Sequence, residues 1–251
     1  LSWAHREPVR DDFVDNPGAA PQRERLMNLE TGYRKETSYG VLQANVYWMK
    51  YSDQLVLTGA LNDVGAAIRT NVDNSYRFGL ELESTWRISN KVNWAANLAL
   101  SKNKIKEFTE VLYDYGLNYD TLITVTRGYS NTDISFSPNV VAGSVLTVSP
   151  VRKLQLSLLT KYVGRQYLDN TSNKARSLNP YLVNDFRLNF VWQPAFVKQV
   201  DISFLLNNLL NEEYESNGYT YGYLGGGEEF RENFYYPQAG RHFMAMVSVK
   251  F

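Results

Sequence analysis

The sequence has 251 residues, 44% hydrophobic and 14% aromatic, enough to order a whole domain and too rich in rings for a disordered tail. Lysine plus arginine balances aspartate plus glutamate at 26 each, so no net positive field draws in nucleic acid. The lack of cysteine removes disulfides, thiolate metal sites and cysteine nucleophiles, and no stretch approaches the run of about eighteen apolar residues that a membrane-spanning helix needs.

In chain order, Leu1 to Ala4 reads as the stub of a strand. The opening LSWAHREP has neither an initiator Met nor a signal-peptide pattern, so the chain is expected to be a fragment or a processed product. After an irregular stretch at Asp11 to Arg23 comes a weak strand near Glu24 to Lys35 and a short turn at Glu36 to Ser38. Leu42, Ala44, Val46 and Trp48 then oppose Gln43, Asn45 and Tyr47. A long irregular connection covers Ser52 to Asn74.

The clearest alternation follows. Tyr76, Phe78, Leu80, Leu82, Trp86 and Ile88 share one face, and Ser75, Arg77, Gly79, Glu81, Glu83, Thr85 and Arg87 the other. A tight turn at Ser89 to Lys91 leads into Val92, Trp94, Ala96, Leu98 and Leu100 opposite Asn93, Ala95, Asn97, Ala99 and Ser101. Beyond a second long connection, Lys106 to Pro138, the strand Val140 to Val148 is apolar on both faces, which leaves its register open.

The short turn Pro150 to Lys153 introduces Leu154, Leu156, Leu158 and Tyr162 opposite Gln155, Ser157, Lys161 and Arg165. After the stretch Leu168 to Pro180, Phe186, Leu188, Phe190 and Trp192 oppose Asp185, Arg187 and Asn189. Gln193 to Val197 turns into Val200, Ile202 and Phe204, opposite Asp201 and Ser203. Past the stretch Gly222 to Gln238, the chain finishes with Phe243, Ala245, Val247, Val249 and Phe251 opposite His242, Met244, Met246, Ser248 and Lys250.

Alternation suits a soluble β-rich binding module as well as a transmembrane barrel. Strand length favours the barrel, because several segments run well past the usual five or six or so residues toward the nine to eleven or so of a tilted membrane strand. The strict alternation of short turns and long connections is the barrel rule, and connections above about 15 residues are uncommon in compact soluble domains. Trp86, Trp94, Trp192 and Phe251 fall on apolar faces near the short-turn ends, where an interfacial aromatic girdle belongs. The expected fold is all-β, an antiparallel up-and-down transmembrane β-barrel, with residues 1–251 as one unit.

The stretch FLLNNLLNEEYESN at Phe204 to Asn217, the aromatic segment after it, Pro237, Gly240 and Arg241, and the final strand to Phe251 resemble the closing strands of TonB-dependent outer-membrane receptors. REPVRDDF at Arg6 to Phe13, DQLVLTG at Asp53 to Gly59, RTNVDNSYRFGLELE at Arg69 to Glu83 and DISFSPN at Asp133 to Asn139 extend the resemblance over nearly the whole chain. The family's barrel has about twenty-two strands, so about nine strands and a stub make this the C-terminal two fifths or so.

The resemblance implies a cell outer-membrane receptor with a plug and N-terminal strands outside this sequence. It implies a TonB complex acting through that missing part, the barrel-assembly machinery reading Phe251, outer-membrane lipid around the wall, and a small-molecule nutrient such as a ferric siderophore. A passive porin-like channel shares every strand argument. No cofactor or enzyme activity is implied.

Catalytic and metal chemistry find no pattern. His5 and His242 are nine strands or so apart and read as satisfied or solvated side chains. Gly225 to Gly227 lacks the Lys-Ser/Thr of a phosphate loop and reads as a loop tip. Ligand contact is expected instead from Tyr113, Tyr115, Tyr119, Tyr167, Tyr219, Tyr221, Tyr223, Phe234 and Tyr235 in the long connections, because rigid amphipathic rings give contact area at small entropic cost; the competing role is an interfacial belt. Arg77, Glu81, Glu83, Arg87, Lys161, Asp185 and Arg187 are expected to face the lumen, to contact a plug or to pair with one another across strands. Asn207, Asn208 and Asn211 look like a turn by composition, whereas the resemblance places them along a strand in a structural role.

Overall fold

The computed structural model describes residues 1–14, 20–62 and 66–251, so part of the stretch Asp11 to Arg23 and the tip of Ser52 to Asn74 lie outside the described residues. The elements are β1 (Ser2–Arg6), α1 (Arg10–Val14), β2 (Glu24–Thr37), β3 (Gly40–Leu61), β4 (Ala67–Ser89), β5 (Val92–Asp114), β6 (Ile123–Asp133), β7 (Val140–Val151) and β8 (Leu154–Val163). They continue with β9 (Gln166–Tyr167), β10 (Ser177–Leu178), β11 (Tyr181–Trp192), β12 (Gln199–Asn207), β13 (Glu215–Gly225), β14 (Glu228–Pro237) and β15 (His242–Lys250). Ten of them form one antiparallel wall in the order β1, β2, β3, β4, β5, β7, β8, β11, β12, β15. This is the predicted count of nine full strands and a stub.

The wall is a single layer whose two faces follow the predicted alternation. Between β4 and β5, Trp86 sits opposite Trp94, Leu82 opposite Leu98 and Leu80 opposite Leu100, while Glu83 faces Asn97 on the other side. The apolar face is bare: Trp48, Phe78, Trp192, Phe243 and Val247 are all exposed. A soluble sandwich would bury that face against a second sheet about 10 Å away. The largest fully buried side chains, Phe108, Ile105, Leu178, Glu110 and Asn170, instead gather at the end opposite the short turns.

The short turns come where expected, and aromatic rings cluster beside them. Tyr39 lies 6.5 Å from Trp86 and Trp192 lies 5.9 Å from Phe196, centroid to centroid. Trp94 Nε1 donates to Ser144 Oγ at 2.9 Å, so its polar edge is satisfied while its ring stays exposed. The register of β7 is settled: Val141, Gly143, Val145 and Thr147 oppose Ala99, Asn97, Ala95 and Asn93 on the polar face. A Cβ on Gly143 would lie 2.4 Å from Asn97 Oδ1, so Asn97 needs the gap that glycine leaves.

The long connections are not irregular as expected but largely hairpins that continue the strands. β3 and β4 stay paired from Ser52↔Asn74 out to Leu61↔Ala67, and β5 pairs β6 from Lys104↔Asp133 to Asp114↔Ile123. Each hairpin changes phase near its base, and the β3–β4 pairing shifts register again between Leu57 and Leu61. On β5, Asn103 and Ile105 are buried, Lys106 and Glu107 are both exposed, and Phe108, Glu110 and Leu112 are buried; across the ladder Asn131 has φ 55°. On β4, Val72 and Ser75 are buried with Asp73 and Asn74 exposed between them, opposite Asp53 at φ 58°. The pairing register is the same on both sides of each site, so these are local twists of both strands together, and Asp and Asn tolerate the left-handed backbone they need. Above them Val56, Val72, Ile105, Phe108 and Ile134 form a small core with Tyr129 against it.

The closing segment also departs in part from the reading. Asn207 ends β12, but Asn208 (φ 51°) and Asn211 (φ 58°) form a turn and not a strand. Asn208 is buried, accepts from Glu212 N at 2.8 Å and donates to the carbonyls of Glu212 and Ala239 at 2.9 and 3.3 Å. Composition was the better guide here, and the structural role stands.

Candidate functional site

Between β12 and β15 the chain rises into the β13–β14 hairpin, which folds across to β5. Leu224 pairs in parallel with Asp114, Tyr115 N donates to Leu224 O and Gly226 N donates to Gly116 O, both at 2.9 Å. The hairpin's inner face carries Gly218, Thr220, Arg231 and Asn233. A Cβ on Gly222 would lie 2.5 Å from the Arg231 guanidinium, so this glycine lets that side chain lie flat and reach inward.

What Arg231 reaches is a charged interlock. Glu110 on β5, 2% exposed, accepts from Arg231 Nη2 at 2.8 Å, from Arg176 Nη1 at 2.9 Å and from the Tyr129 hydroxyl at 2.8 Å. Arg176 also donates to Asp169 Oδ2 at 2.8 Å; Arg231 to Glu229 Oε1 at 3.1 Å; and Arg127 to Glu229 Oε2 at 2.6 Å. Arg127, Arg176 and Arg231 thus balance Glu110, Asp169 and Glu229, and the cluster joins β5, β6, the β9–β10 connection and β14. Asn170, fully buried, extends the tie by donating to Leu57 O on β3 at 2.7 Å and accepting from Ser135 N at 2.8 Å. The sequence reading missed the interlock, because its members are scattered over 121 positions from Glu110 to Arg231.

Burial pushes the Glu229 carboxyl up, but hydrogen bonds from Arg127 and Arg231 outweigh it and hold the group below its ordinary 4.5. Because its folded value is depressed, Glu229 gives its full contribution above 4.5 and loses it as pH falls through the lower value. Amide exchange in β13–β14, corrected for intrinsic rate, is therefore expected to hold steady from pH 7 to about 5 and to rise in stronger acid. Exchange that stays flat throughout would mean that Glu229 does not hold the hairpin.

The hairpin's other face is aromatic. Tyr219 stacks on Phe234 at 4.7 Å and approaches Tyr236 at 6.3 Å; Tyr223 stacks on Phe230 at 5.1 Å and meets Tyr221 at 5.8 Å. From the β5–β6 tip Tyr115 adds an edge contact to Tyr223 at 5.7 Å, and Tyr119 lies over Gly225. Six predicted ligand residues, Tyr115, Tyr119, Tyr219, Tyr221, Tyr223 and Phe234, therefore come together. Tyr113 lines a separate cleft with Thr70, Asn71 and Lys106, Tyr167 sits in β9 opposite Ser177, and Tyr235 lies on the other face of β14 beside Gly218. Phe230 and Tyr236 belong to the aromatic face and were missed.

The seven polar-face candidates stay on that face and spread along the wall. Arg77 Nη1 donates to Ser137 Oγ at 3.0 Å and Asn103 Oδ1 at 3.3 Å. Lys161 and Asp185 line one cleft with Tyr181 and His242, and Asp185 accepts from Asn208 N at 2.8 Å. Glu81, Glu83, Arg87 and Arg187 enter no ion pair with one another among the described residues. His242 is satisfied by Asn207 and Gly240 O, and His5 is exposed on β1.

Residues 11–209 match the family described as TonB dependent receptor-like, beta-barrel. No curated protein sequence gives a significant match. Among solved structures, the copper transporter OprC superposes with a TM-score of 0.69 at 18% identity, over 99% of this chain and 36% of that one. The ferric yersiniabactin uptake receptor FyuA from Yersinia pestis gives 0.61 at 22% identity, over 90% and 29%. The siderophore receptor PiuA from Acinetobacter baumannii gives 0.63 at 16%, over 92% and 29%. This chain spans about a third of the length of such proteins.

Proposed function

The chain belongs to the TonB-dependent receptor β-barrel family, a class of outer-membrane transport receptors, and from that premise we propose that it is the C-terminal part of a plugged barrel that imports a scarce nutrient with TonB-coupled energy. In this reading the apolar face meets acyl chains, the polar face lines the lumen, and the long hairpins stand outside the cell. β1 and β15 are the open edges to which further strands of the same barrel pair, since an unpaired edge is not tolerated in hydrocarbon.

The observation that carries the reading is the aromatic face, where rings from two long hairpins converge at the end away from the short turns. A ferric siderophore or similar compact ligand suits such a surface, and Arg77, Glu81, Glu83, Arg87, Lys161, Asp185 and Arg187 line the route below it or touch the plug. The test is uptake by cells expressing the full-length receptor, using radiolabelled ferric siderophores with and without a functional TonB. Saturable, TonB-dependent uptake that weakens in Tyr223→Ala is expected. Uptake that is linear in concentration and indifferent to TonB would instead identify a passive channel.

Phe251 follows the last residue of β15 and is exposed at the short-turn end. We further propose that the barrel-assembly machinery reads Phe251, and its deletion is expected to lower the folded receptor recovered from outer membranes, read by heat-modifiable gel mobility. Unchanged recovery would remove that role.

A further inference from the structure

The aromatic face of the β13–β14 hairpin carries charge of one sign only. Cross-strand pairing sets Glu232 opposite Tyr221 and Glu228 opposite Gly225, so both carboxylates stand on the same side as Tyr219, Tyr223, Phe230 and Phe234. Both are exposed and enter no ion pair among the described residues. On the β5–β6 tip, Asp114 and Asp120 flank Tyr115 and Tyr119 in the chain. No lysine, arginine or histidine lies between Lys106 and Arg127 or between Lys198 and Arg231, so neither tip offers a cation of its own.

The cations that come near are turned away or already matched. Arg231 lies on the inner face and, with Arg127 and Arg176, is held by Glu110, Asp169 and Glu229. Ala175 O, beside Lys174, accepts from Asn233 on that same inner face at 2.8 Å, so this lysine stands behind the hairpin. Burial, followed by the neighbouring Tyr115, pushes the Tyr221 phenol above its ordinary 10.0, so that ring stays neutral near pH 7 and the carboxylates alone charge the face. Neutral rings beside unpaired carboxylates attract an ammonium group and repel a polyanion.

We infer that this face selects nutrients bearing a protonated amine, with the rings covering the amine and Glu228 and Glu232 setting the preference for its charge. The inference rests on the importer reading above and narrows its ligand. An iron chelate with a free ammonium group fits the face, whereas a ferric tris-catecholate, a trianion, is repelled by it.

The test measures binding to the purified full-length receptor in detergent by quenching of its intrinsic fluorescence. Three probes are compared: ferrioxamine B, an iron trihydroxamate with a free ammonium group; its N-acetyl derivative, which keeps the chelate and loses the charge; and the tris-catecholate ferric enterobactin. Wild type is expected to bind ferrioxamine B about tenfold tighter than the N-acetyl form, and ferric enterobactin most weakly. E228Q/E232Q is expected to bring the two hydroxamates to about the same affinity by weakening only the charged one. E30Q/E36Q, which removes two carboxylates from β2, is expected to keep the wild-type discrimination. Heat-modifiable mobility checks that each variant is folded, and Glu232→Gln alone, with a smaller expected loss, serves if the double variant does not fold. Equal affinity for the two hydroxamates, tighter binding of ferric enterobactin, no binding of ferrioxamine B, or unchanged discrimination in the folded Glu232 variants would each overturn the inference. Saturable, TonB-dependent uptake that is equal for the two hydroxamates would overturn it while leaving the importer reading intact. Linear, TonB-independent uptake with the discrimination in binding preserved would sink the importer reading and leave this one standing.

Discussion

Glu110→Gln is expected to release the β13–β14 hairpin from the β5–β6 wall and to weaken ligand capture with it. The carboxylate is 2% exposed and is shared by Arg176 and Arg231, whose side chains are themselves only 8% and 15% exposed. Removing one partner from a buried ionic cluster leaves the opposite charges uncompensated, which costs about 3–5 kcal/mol. Arg176 retains Asp169, and that hydrogen bond together with the surrounding negative charge keeps its affinity for a proton above the ordinary value despite burial. Arg231 retains only Glu229, whose side chain is 30% exposed, so the loss falls chiefly on β14.

The measurement is hydrogen exchange on the full-length receptor. Faster exchange confined to β13–β14 and the β9–β10 connection is the expected result, with the wall below the phase changes of β4 and β5 unchanged. The double variant E110L/R231M removes both ends of one pair together and should recover part of the protection, because a matched apolar replacement of a buried ion pair is often close to neutral. Exchange in Glu110→Gln equal to wild type would show that the aromatic face is held by its backbone contacts to β5 alone.

How legible this arrangement is from sequence depends on where physics is local. In the wall, each residue's face is fixed by period-two alternation, so Ser75 to Ile88 and Val92 to Ser101 declare their strands and even their turn. β7 does not, because Gly143 and the two valines beside it on the polar face carry no polarity contrast, and only the Asn97 contact explains the glycine. Above the phase changes the alternation restarts with the opposite parity, so β3 to β6 read as irregular where they are paired strands. The interlock was out of reach for another reason: its members meet only after the β13–β14 hairpin crosses back to β5. Loop tyrosines could be named as candidates from composition, but which six converge depends on which face of each hairpin they occupy, and Tyr113 and Tyr235 fall on the wrong ones.

A matched pair of substitutions on neighbouring residues of β5 tests the premise beneath the whole reading. Leu98 lies on the apolar face between Leu82 and Ala142, and Asn97 on the polar face between Glu83 and Gly143. If the apolar face meets acyl chains near mid-bilayer, Leu98→Arg should destabilise the receptor by about 2–4 kcal/mol, since the guanidinium has no water and no carboxylate to turn to. Asn97→Arg places the same charge one residue away, beside Glu83 in an aqueous lumen, and its cost is expected to stay within about 0.5 kcal/mol. Both follow from urea unfolding of the full-length receptor in phospholipid vesicles, with stability taken from the midpoint at constant slope. Helix propensity, net charge and chain position are nearly the same for the two variants, so only the direction of the side chain separates them. The reverse order of effects would put water on the tryptophan face and hydrocarbon on the glutamate face, and a barrel of this kind could not then exist.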